Sequence, residues 1–486
     1  METLAEPRAA EPVALRSIAD LPGPRGIPLM GNALQIEPAR MHLQLEQWAH
    51  EHGPYYRLKF GKHQVLVVAD HEAIAAGLRD RPDGFRRSVR MEQVSAAMGL
   101  LPGVFGSNGE DWRRQRRMVM AGFDPAHVKA YFPSMVRVAR RLEGRWRKAA
   151  QAGAPIDLQA DLMRYTVDTI AGLAFGAEVN TLESGEDVIQ RHLDKIFPAL
   201  FNRIFTPFDY WRYCKLPSDR ALDRSIALVQ TAIAGFIAAA RKRLEHDAGR
   251  REHPPNLLEA MILAADQPDS GLSDRHVAGN VMTMLLAGED TTANTLSWMI
   301  YLLTRHPDML AKAQAEVRAQ AGDSERFSPE QMSALDYVEA CAHETMRLKP
   351  VAPMNVMLAL RDSVIGDVRV PTGTQVFCVM RHDSVDERFI PQAARFMPER
   401  WLGEGGSSLA ASSAKRISMP FGAGPRVCPG RYLAMLEIKM AMAVLLGRFD
   451  IASLTTPDGG EAREHMAFTM APVGLSLRLT AEDQTG

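Results

Sequence analysis

The chain has 486 residues, 46% of them hydrophobic and 24% charged, a composition that excludes a disordered or fibrous protein. Its 57 Lys and Arg residues balance 58 Asp and Glu residues, and this net charge of -1 argues against nucleic-acid binding through an overall positive field. The four cysteines include no CxxC pair, which excludes a zinc ribbon and fits a reducing cytoplasm. The first twenty residues lack a signal-peptide core and no uncharged apolar run reaches 18 residues, so we expect no transmembrane anchor.

The first predicted elements are extended. Residues 1–20 are expected to form a flexible polar tail, and a Pro/Gly-rich lead-in follows from Leu21 to Asn32. Two strands flank a turn at Gly61 and Lys62. Because no Pro/Gly/Ser linker with a composition shift divides the rest, residues 21–486 are expected to form a single domain.

Residues 110–350 have an almost entirely helical pattern, and residues 351–382 resemble strands again. Residues 403–414 are predicted to be a flexible surface loop, a helix is predicted after Cys428, and a hairpin broken at residues 472–474 is predicted near the end. The expected fold class is therefore mainly α with small β-sheets, an α+β chain.

One predicted helix is unusually long, extending from its cap at Ser273 to the residue before Pro307. In its middle, where burial should be greatest, lies the polar segment AGEDTT, residues 287–292. Polar groups in such a place need partners or a chemical role. The alternative is that the two threonines bond back to their own helix while Glu289 and Asp290 are solvated.

A second unusual segment surrounds Cys428, in the sequence PFGAGPRVCPG. Pro429 is predicted to start a helix, which places Cys428 near free backbone N–H groups that favour a thiolate. Gly422 and Gly430 allow the backbone to pack closely, and Arg426 adds a positive charge. A lone thiolate suits a metal that a macrocycle already holds, because zinc requires four ligands. An inert buried thiol is the plainer alternative.

The segment FGAGPRVCPG resembles the FxxGxRxCxG signature of the cytochrome P450 family of haem-thiolate monooxygenases. The resemblance implies the P450 fold, with a long distal helix over the haem and a proximal Cys loop. It also implies haem b, iron protoporphyrin IX, as cofactor and Cys428 as the axial iron ligand. Arg426 is then a propionate contact, Phe421 packs beside the sulfur, and Gly422 and Gly430 shape the loop.

AGEDTT resembles the distal-helix pattern of the same family. The resemblance makes Asp290 and Thr291 the catalytic acid–alcohol pair that relays protons. Ala287 and Gly288 then leave room beside the cofactor for oxygen and substrate.

Two further motifs resemble those of the family. HETMR is not the zinc motif HExxH, because Arg347 replaces the second histidine. Glu344 and Arg347 instead resemble ExxR, with Arg400 as the third member of a structural charge lock. Trp112 and Arg116 resemble WxxxR, which implies that both contact haem propionates.

One position departs from the family pattern. Many members carry an Arg or His on the strand before the turn at Asp362, where this chain has Met357. We therefore carry over no propionate contact at that position. Arg113 and Arg117 lie elsewhere on the predicted Trp112 helix, and we hypothesise that they dock an acidic electron donor.

The resemblance implies a monooxygenase that hydroxylates or epoxidises a small hydrophobic substrate with O2 and NAD(P)H-derived electrons. The chain length and the missing anchor favour a soluble, bacterial-type, cytoplasmic member with a separate ferredoxin or flavodoxin type donor and its reductase. A peroxide-driven peroxygenase, a haem-thiolate isomerase and a non-enzymatic haem sensor remain alternatives. Side chains expected to orient a substrate carboxylate are Arg86, Arg87, Arg90 and Asn202. The expected pocket walls are residues 85–101, 198–213, 281–295, 351–357 and 468–470.

Overall fold

The computed structural model describes residues 15–123, 125–176, 179–183, 190–193, 195–206, 208–403 and 408–481. The α-helices of this part are α1 Met41–His52, α2 His71–Arg79, α3 Val89–Ala97, α4 Gly109–Gly122, α5 Pro125–Gln151, α6 Leu158–Phe175, α7 Gln190–Leu193, α8 Ile196–Phe205, α9 Pro217–His246, α10 Ala248–Glu252, α11 Leu257–Ala265, α12 Asp274–Arg305, α13 Pro307–Ala321, α14 Pro329–Ser333, α15 Asp336–Leu348, α16 Ser408–Ser418 and α17 Arg431–Arg448. The strands are β1 Tyr55–Phe60, β2 His63–Val68, β3 Phe85–Arg87, β4 Ile156–Asp157, β5 Met354–Ala359, β6 Ser363–Ile365, β7 Val368–Val370, β8 Gln375–Val379, β9 Phe449–Thr455, β10 Glu464–Ala467, β11 Thr469–Pro472 and β12 Ser476–Ala481. The prediction of a mainly α fold with small sheets is confirmed.

The largest sheet has the strand order β1-β2-β8-β5-β3. The predicted hairpin of β1 and β2 is confirmed, and Gly61 at its turn has a φ of 59°, a conformation that glycine adopts without steric cost. A three-stranded sheet orders β4-β12-β9, and β6-β7 and β10-β11 form separate hairpins.

The long polar-centred helix is confirmed as α12, which begins after Ser273 and ends at Arg305. Residues 292–300 of this helix are buried on every face, and Trp298 and Met299 are fully buried. The helix contacts α6, α9, α11 and α15. This burial holds the AGEDTT segment inside the fold, where it borders a large cavity.

Two predictions about the C-terminal third are wrong. The expected loop at 403–414 contains the start of α16, because Ala414 and Ile417 form a small core with Ile390 and Ala393; residues 404–407 lie outside the described part. The final hairpin is β10 with β11, turning at Phe468, whereas β12 pairs with β9 and β4.

The N-terminal tail was expected to be flexible through residue 20. Residues 1–14 lie outside the described part, but Arg16 bonds Asp367 through two charged hydrogen bonds of 2.8 and 2.7 Å. Ile18 is buried against the sheet core. The ordered chain therefore begins before Leu21.

Among the described helices, α9 is long and apolar enough to cross a membrane by length and composition, with 33% of its most apolar window buried. Core helices of water-soluble proteins meet the same criterion.

Candidate active site

A cavity of about 1470 Å³ lies between α12, the loop before Cys428 and the largest sheet. Single small-molecule sites measure roughly 300–1000 Å³, so this cavity has room for a cofactor and a substrate together. Each of the five predicted wall segments contributes to its lining. Other lining residues were not expected from the sequence; they include Met30, Ile36, Phe60, Phe105 and Phe377.

Cys428 lines this cavity together with Phe421, Arg426 and Gly430. The Cys428 backbone N–H donates to the Phe421 carbonyl at 3.0 Å, which closes the loop under the sulfur. Gly422 also lines the cavity, and its φ of 76° is in the left-handed region that favours glycine. Gly422 therefore permits the turn that brings the Cys428 thiol to the cavity.

The prediction that a helix begins directly after Cys428, where its free backbone N–H groups would stabilise a thiolate, is wrong about where the helix begins. The helix α17 begins at Arg431 with Gly430 as its N-cap, so Cys428 precedes the cap by two residues. Burial raises the pKa of the Cys428 thiol, and a Gly430 backbone hydrogen bond with nearby Arg116 and Arg431 opposes this only partly. A bound metal ion would displace the proton, because the thiolate is the ligand form.

Four arginines line the same cavity without a carboxylate partner among the described residues: Arg81, Arg87, Arg116 and Arg426. Burial lowers the pKa of Arg87 well below its usual value, with Arg81 and Arg426 adding repulsion. Burial also lowers the pKa of Arg426 to about 9, and Arg81, Arg116 and Arg86 add to the shift. Buried positive charge of this kind requires an anion.

Guanidinium nitrogens without a hydrogen-bond acceptor also indicate that an anion belongs at this site. In the part of the chain that the structure describes, Nε of Arg81, Nε of Arg87 and Nε of Arg426 are buried without a hydrogen-bond acceptor. Arg116 donates to the Val427 carbonyl at 2.8 Å, and the Arg426 guanidinium lies 4.7 Å from the centre of the Trp112 ring. A lone thiol beside unpaired arginines fits a macrocycle that brings its own iron ligands and carboxylates, as haem does.

The α12 segment borders the same cavity through Ala287, Gly288 and Thr291. The Thr291 hydroxyl donates to the Ala287 carbonyl at 2.7 Å, which is the back-bonded geometry named as the alternative. That alternative also required Glu289 to be solvated, which is wrong because Glu289 is buried. Asp290 is half-buried next to Thr291.

Glu437 on α17 is a lining residue that the sequence analysis missed. Burial raises the pKa of this carboxyl to about 8, and a hydrogen bond with Thr292 opposes the shift. The available signal was a lone carboxylate in the middle of the apolar segment after Cys428.

The predicted charge lock forms in full. Arg347 donates twice to the Glu344 carboxylate at 2.8 Å, and Arg400 Nε donates to Glu344 Oε1 at 2.9 Å. Arg347 also bonds the carbonyls of Ser384, Ala393 and Arg395. Burial opposes ionisation of Glu344, but Arg347 and Arg400 outweigh it and hold the pKa of that carboxyl below its usual value.

Trp401, which the sequence analysis did not include, donates its indole N–H to the same carboxylate at 2.9 Å. The charge lock therefore joins α15 to the connection between β8 and α16.

Two of the four residues expected to orient a carboxylate do not line the cavity. Arg86 pairs with Glu92, and Asn202 is exposed on α8. Arg90 lines the cavity, but its Nε and Nη2 bond backbone carbonyls. Of the four residues, Arg87 lines the cavity without a carboxylate partner among the described residues, as one of the four arginines above.

A family model described as Cytochrome P450 matches residues 21–479. The chain is 27% identical over 410 residues to the chloroplastic protein LUTEIN DEFICIENT 5 of Arabidopsis thaliana, across 82% of this chain and 67% of that protein. It is 27% identical over 493 residues to a self-sufficient cytochrome P450 monooxygenase of Aspergillus kawachii, across 95% of this chain. The match spans only 43% of that fungal protein.

A crystal structure described as the cytochrome P450DA heme domain has the same fold. Its TM-score to this chain is 0.81 at 24% sequence identity, and the match covers 96% of this chain and 99% of that one. The relatives are plant and fungal, so they do not support the expectation of a bacterial-type member.

Proposed function

The chain belongs to the cytochrome P450 family and is an oxidoreductase of the monooxygenase type, and we propose that it inserts one oxygen atom of O2 into a hydrophobic organic substrate by hydroxylation or epoxidation. The observation that carries the proposal is the pairing of a lone Cys428 with unpartnered arginines in one large cavity. An apolar substrate suits the remaining walls, which include Met282, Leu286 and Phe197.

In this proposal Cys428 would bind the iron of haem b through its sulfur. Arg116, Arg426 and Trp112 hold the propionates, and Arg81 and Arg87 join them because they also lack an anion. When bound, the haem supplies the redox chemistry that splits dioxygen, and its thiolate ligand favours that cleavage. Phe421 and Gly422 shape the loop that presents the sulfur.

Proton delivery falls to Thr291 and Asp290. While the Thr291 hydroxyl donates to the Ala287 carbonyl, its lone pairs remain available to accept a hydrogen bond from a water molecule in the cavity. Asp290 is half-buried and precedes Thr291 in the sequence, and the proposal assigns it the exchange of protons with solvent. Ala287 and Gly288 keep that part of α12 free of bulk; a Cβ on Gly288 would lie 3.2 Å from Ile170.

Electrons are proposed to come from NAD(P)H through a separate ferredoxin or flavodoxin type donor and its reductase. A surface cleft of about 420 Å³ supports this partner, because Arg79, Arg113, Arg116 and Arg117 line it beside Trp112. Arg113 is partly neutralised by Asp83 and Glu110. Arg117 is therefore the stronger candidate for contact with an acidic donor.

We propose a cytoplasmic location and one haem-thiolate domain over residues 21–486, extended at its start by the packed residues 16–20. The sparse, unpaired cysteines support the first. The charge lock supports the second, since it joins Glu344 to Arg400 across 56 positions of sequence.

The test starts with haem. The purified chain is supplied with hemin, reduced and exposed to carbon monoxide, and a thiolate-type absorption band is expected. Cys428→Ser should abolish that band, whereas Cys378→Ser, at a buried cysteine of the sheet core, should keep it. A chain that takes up no hemin, or a band that survives Cys428→Ser, would refute the proposal.

The same preparation separates the alternatives. Product formed from O2 with a donor and NAD(P)H supports the monooxygenase. Equal turnover with hydrogen peroxide alone would support a peroxygenase, rearrangement without an oxidant an isomerase, and haem binding without any turnover a sensor.

A further inference from the structure

Arg90 makes an unusual set of contacts between two helices. It lies on α3, and its Nη2 donates to the carbonyls of Arg203 and Thr206, both at 2.9 Å. Its Nε donates to the Ile204 carbonyl at 3.3 Å. These three carbonyls belong to the last turn of α8 and its C-cap.

The last turn of a helix leaves carbonyls without partners inside that helix, and it carries the negative end of the helix dipole. A positive side chain there satisfies both. Arg90 is therefore a C-terminal cap for α8 that another helix supplies, so the two helices are tied by a charged, multidentate contact.

The contact continues beyond α8. Arg90 Nη2 lies 2.6 Å from Asp209 Oδ1, and hydrogen bonding to Arg90 is the main reason that the pKa of Asp209 is lowered. The Arg90 guanidinium also lies 5.9 Å from the centre of the Trp211 ring, over which Arg203 lies at 4.9 Å. One side chain thus fastens α3 to the end of α8 and to the residues that follow.

These elements bound the outer part of the cavity. The inner side of α8 contributes Phe197, Leu200 and Phe201 to the lining, and its end contributes Ile204 and Phe205. Met30 lines the same cavity while 39% exposed, so the cavity reaches the surface beside it. Phe205 at the end of α8 packs against the same core cluster as Phe60, and Phe60 bridges Gly31, so this opening lies near the end of α8.

We infer that Arg90 is a latch on the mouth of the cavity: it holds the end of α8 against α3 and so limits how fast bulky ligands enter and leave. Opening requires Arg90 to give up three carbonyls and Asp209 at once, which slows the movement. A small ligand needs a smaller opening, so the latch acts by ligand size.

The inference rests on the proposed function, because the bound haem reports ligand entry. Imidazole and 1-dodecylimidazole both shift the haem absorption band when their nitrogen binds the iron. Stopped-flow mixing of the haem-loaded chain with each probe gives association and dissociation rates without any turnover.

Arg90→Met should raise both rates for 1-dodecylimidazole by about tenfold, the effect of lowering one barrier by about 1.4 kcal/mol. The rates for imidazole should change by less than about threefold, since less opening is needed. Arg86→Met is the matched control: Arg86 is a neighbouring arginine that pairs with Glu92 and does not line the cavity, and its rates should stay those of the parent.

If Arg90→Met does not fold, Asp209→Asn removes the ion pair and leaves the carbonyl contacts, and a smaller rise in the 1-dodecylimidazole rates is expected. Unchanged rates in a folded, haem-loaded Arg90→Met would overturn the latch. So would unchanged azole rates with a lost preference for dodecanoic acid over dodecanol, which would assign Arg90 to a substrate carboxylate. A parent chain that binds no haem fails the proposed function instead, before any latch is tested.

Discussion

Arg87 and Met357 lie directly opposite each other on β3 and β5. Met357 occupies the position at which the family resemblance led us to look for a strand Arg or His, and the neighbouring strand places a half-buried arginine beside it. The Arg87 guanidinium lies 3.8 Å from the centre of the Phe105 ring, and its Nε has no acceptor among the described residues. β5 therefore has no positive side chain at position 357, and β3 supplies one at the paired position, Arg87.

Arg87→Met should therefore weaken haem retention, and adding Met357→Arg should restore part of it. Charge-assisted hydrogen bonds contribute about 1.5–3 kcal/mol, so haem transfer to apomyoglobin should be about ten- to a hundredfold faster in Arg87→Met. Arg86→Met should transfer haem at the parent rate. Equal rates in all variants would remove Arg87 from the propionate site.

Thr291→Ala should keep haem and ligand binding but uncouple electron use from product, because the proton-carrying hydroxyl is lost. NAD(P)H consumption, product and hydrogen peroxide are measured together, and peroxide should account for most of the electrons. Thr295→Ala is the control one turn along, since Thr295 also lines the cavity and bonds back to its own helix. Unchanged coupling in Thr291→Ala would show that another group delivers the protons.

Breaking the charge lock should strongly lower the free energy of unfolding. Arg347→Met leaves the fully buried Glu344 with fewer donors, and breaking a buried pair costs about 3–5 kcal/mol. Lys312→Met breaks the exposed pair with Glu399 and should lower the unfolding midpoint far less, because solvent screens an exposed pair. Urea unfolding of both variants measures the difference, and similar midpoints would contradict a structural lock.

Glu437 predicts a pH dependence of stability. Its pKa rises from an ordinary 4.5 to about 8 in the folded chain, so between these values the folded state holds a proton that the unfolded state has released. Stability from this group therefore falls as pH rises through the window, by up to about 1.4 kcal/mol per unit. Glu437→Gln should match the parent most closely near pH 4.5 and gain on it toward pH 8.

Thermal unfolding across that range measures the gain. A constant difference between parent and variant would show that Glu437 does not change charge there.

Substitution of Phe468 by glycine and by alanine should give variants of different stability. Its φ of 91° is strained for a side chain, yet its ring stacks on Phe197 at 4.4 Å and meets Phe105 at 5.7 Å. Phe468→Gly and Phe468→Ala both lose these contacts, but only glycine relieves the backbone, so the Gly variant should be more stable by about 1 kcal/mol. A more stable Ala variant would show that the backbone is not strained.

Local spacing made several features predictable. The β1–β2 hairpin, the length of α12 and the Glu344–Arg347 contact each depend on residues a few positions apart, where the period of a helix or the geometry of a turn decides the outcome. The Cys428 loop belongs with them, since its glycines and prolines determine its course. The mispredicted segment at residues 403–414 has little apolar character of its own, and its helix depends on Ile390 and Ala393.

The sequence alone determined which groups were available for chemistry: a single cysteine on a glycine-rich turn, an acid and an alcohol within a long apolar helix, and a charge pair one turn apart. Only the tertiary structure decided what those groups face. It paired Arg87 with Met357 across two strands, raised the pKa of the Cys428 thiol through burial, and placed Arg90 as a cap on α8 rather than as a substrate contact. The physical reason is that burial and charge pairing depend on neighbours distant in sequence, and sequence spacing carries no record of them.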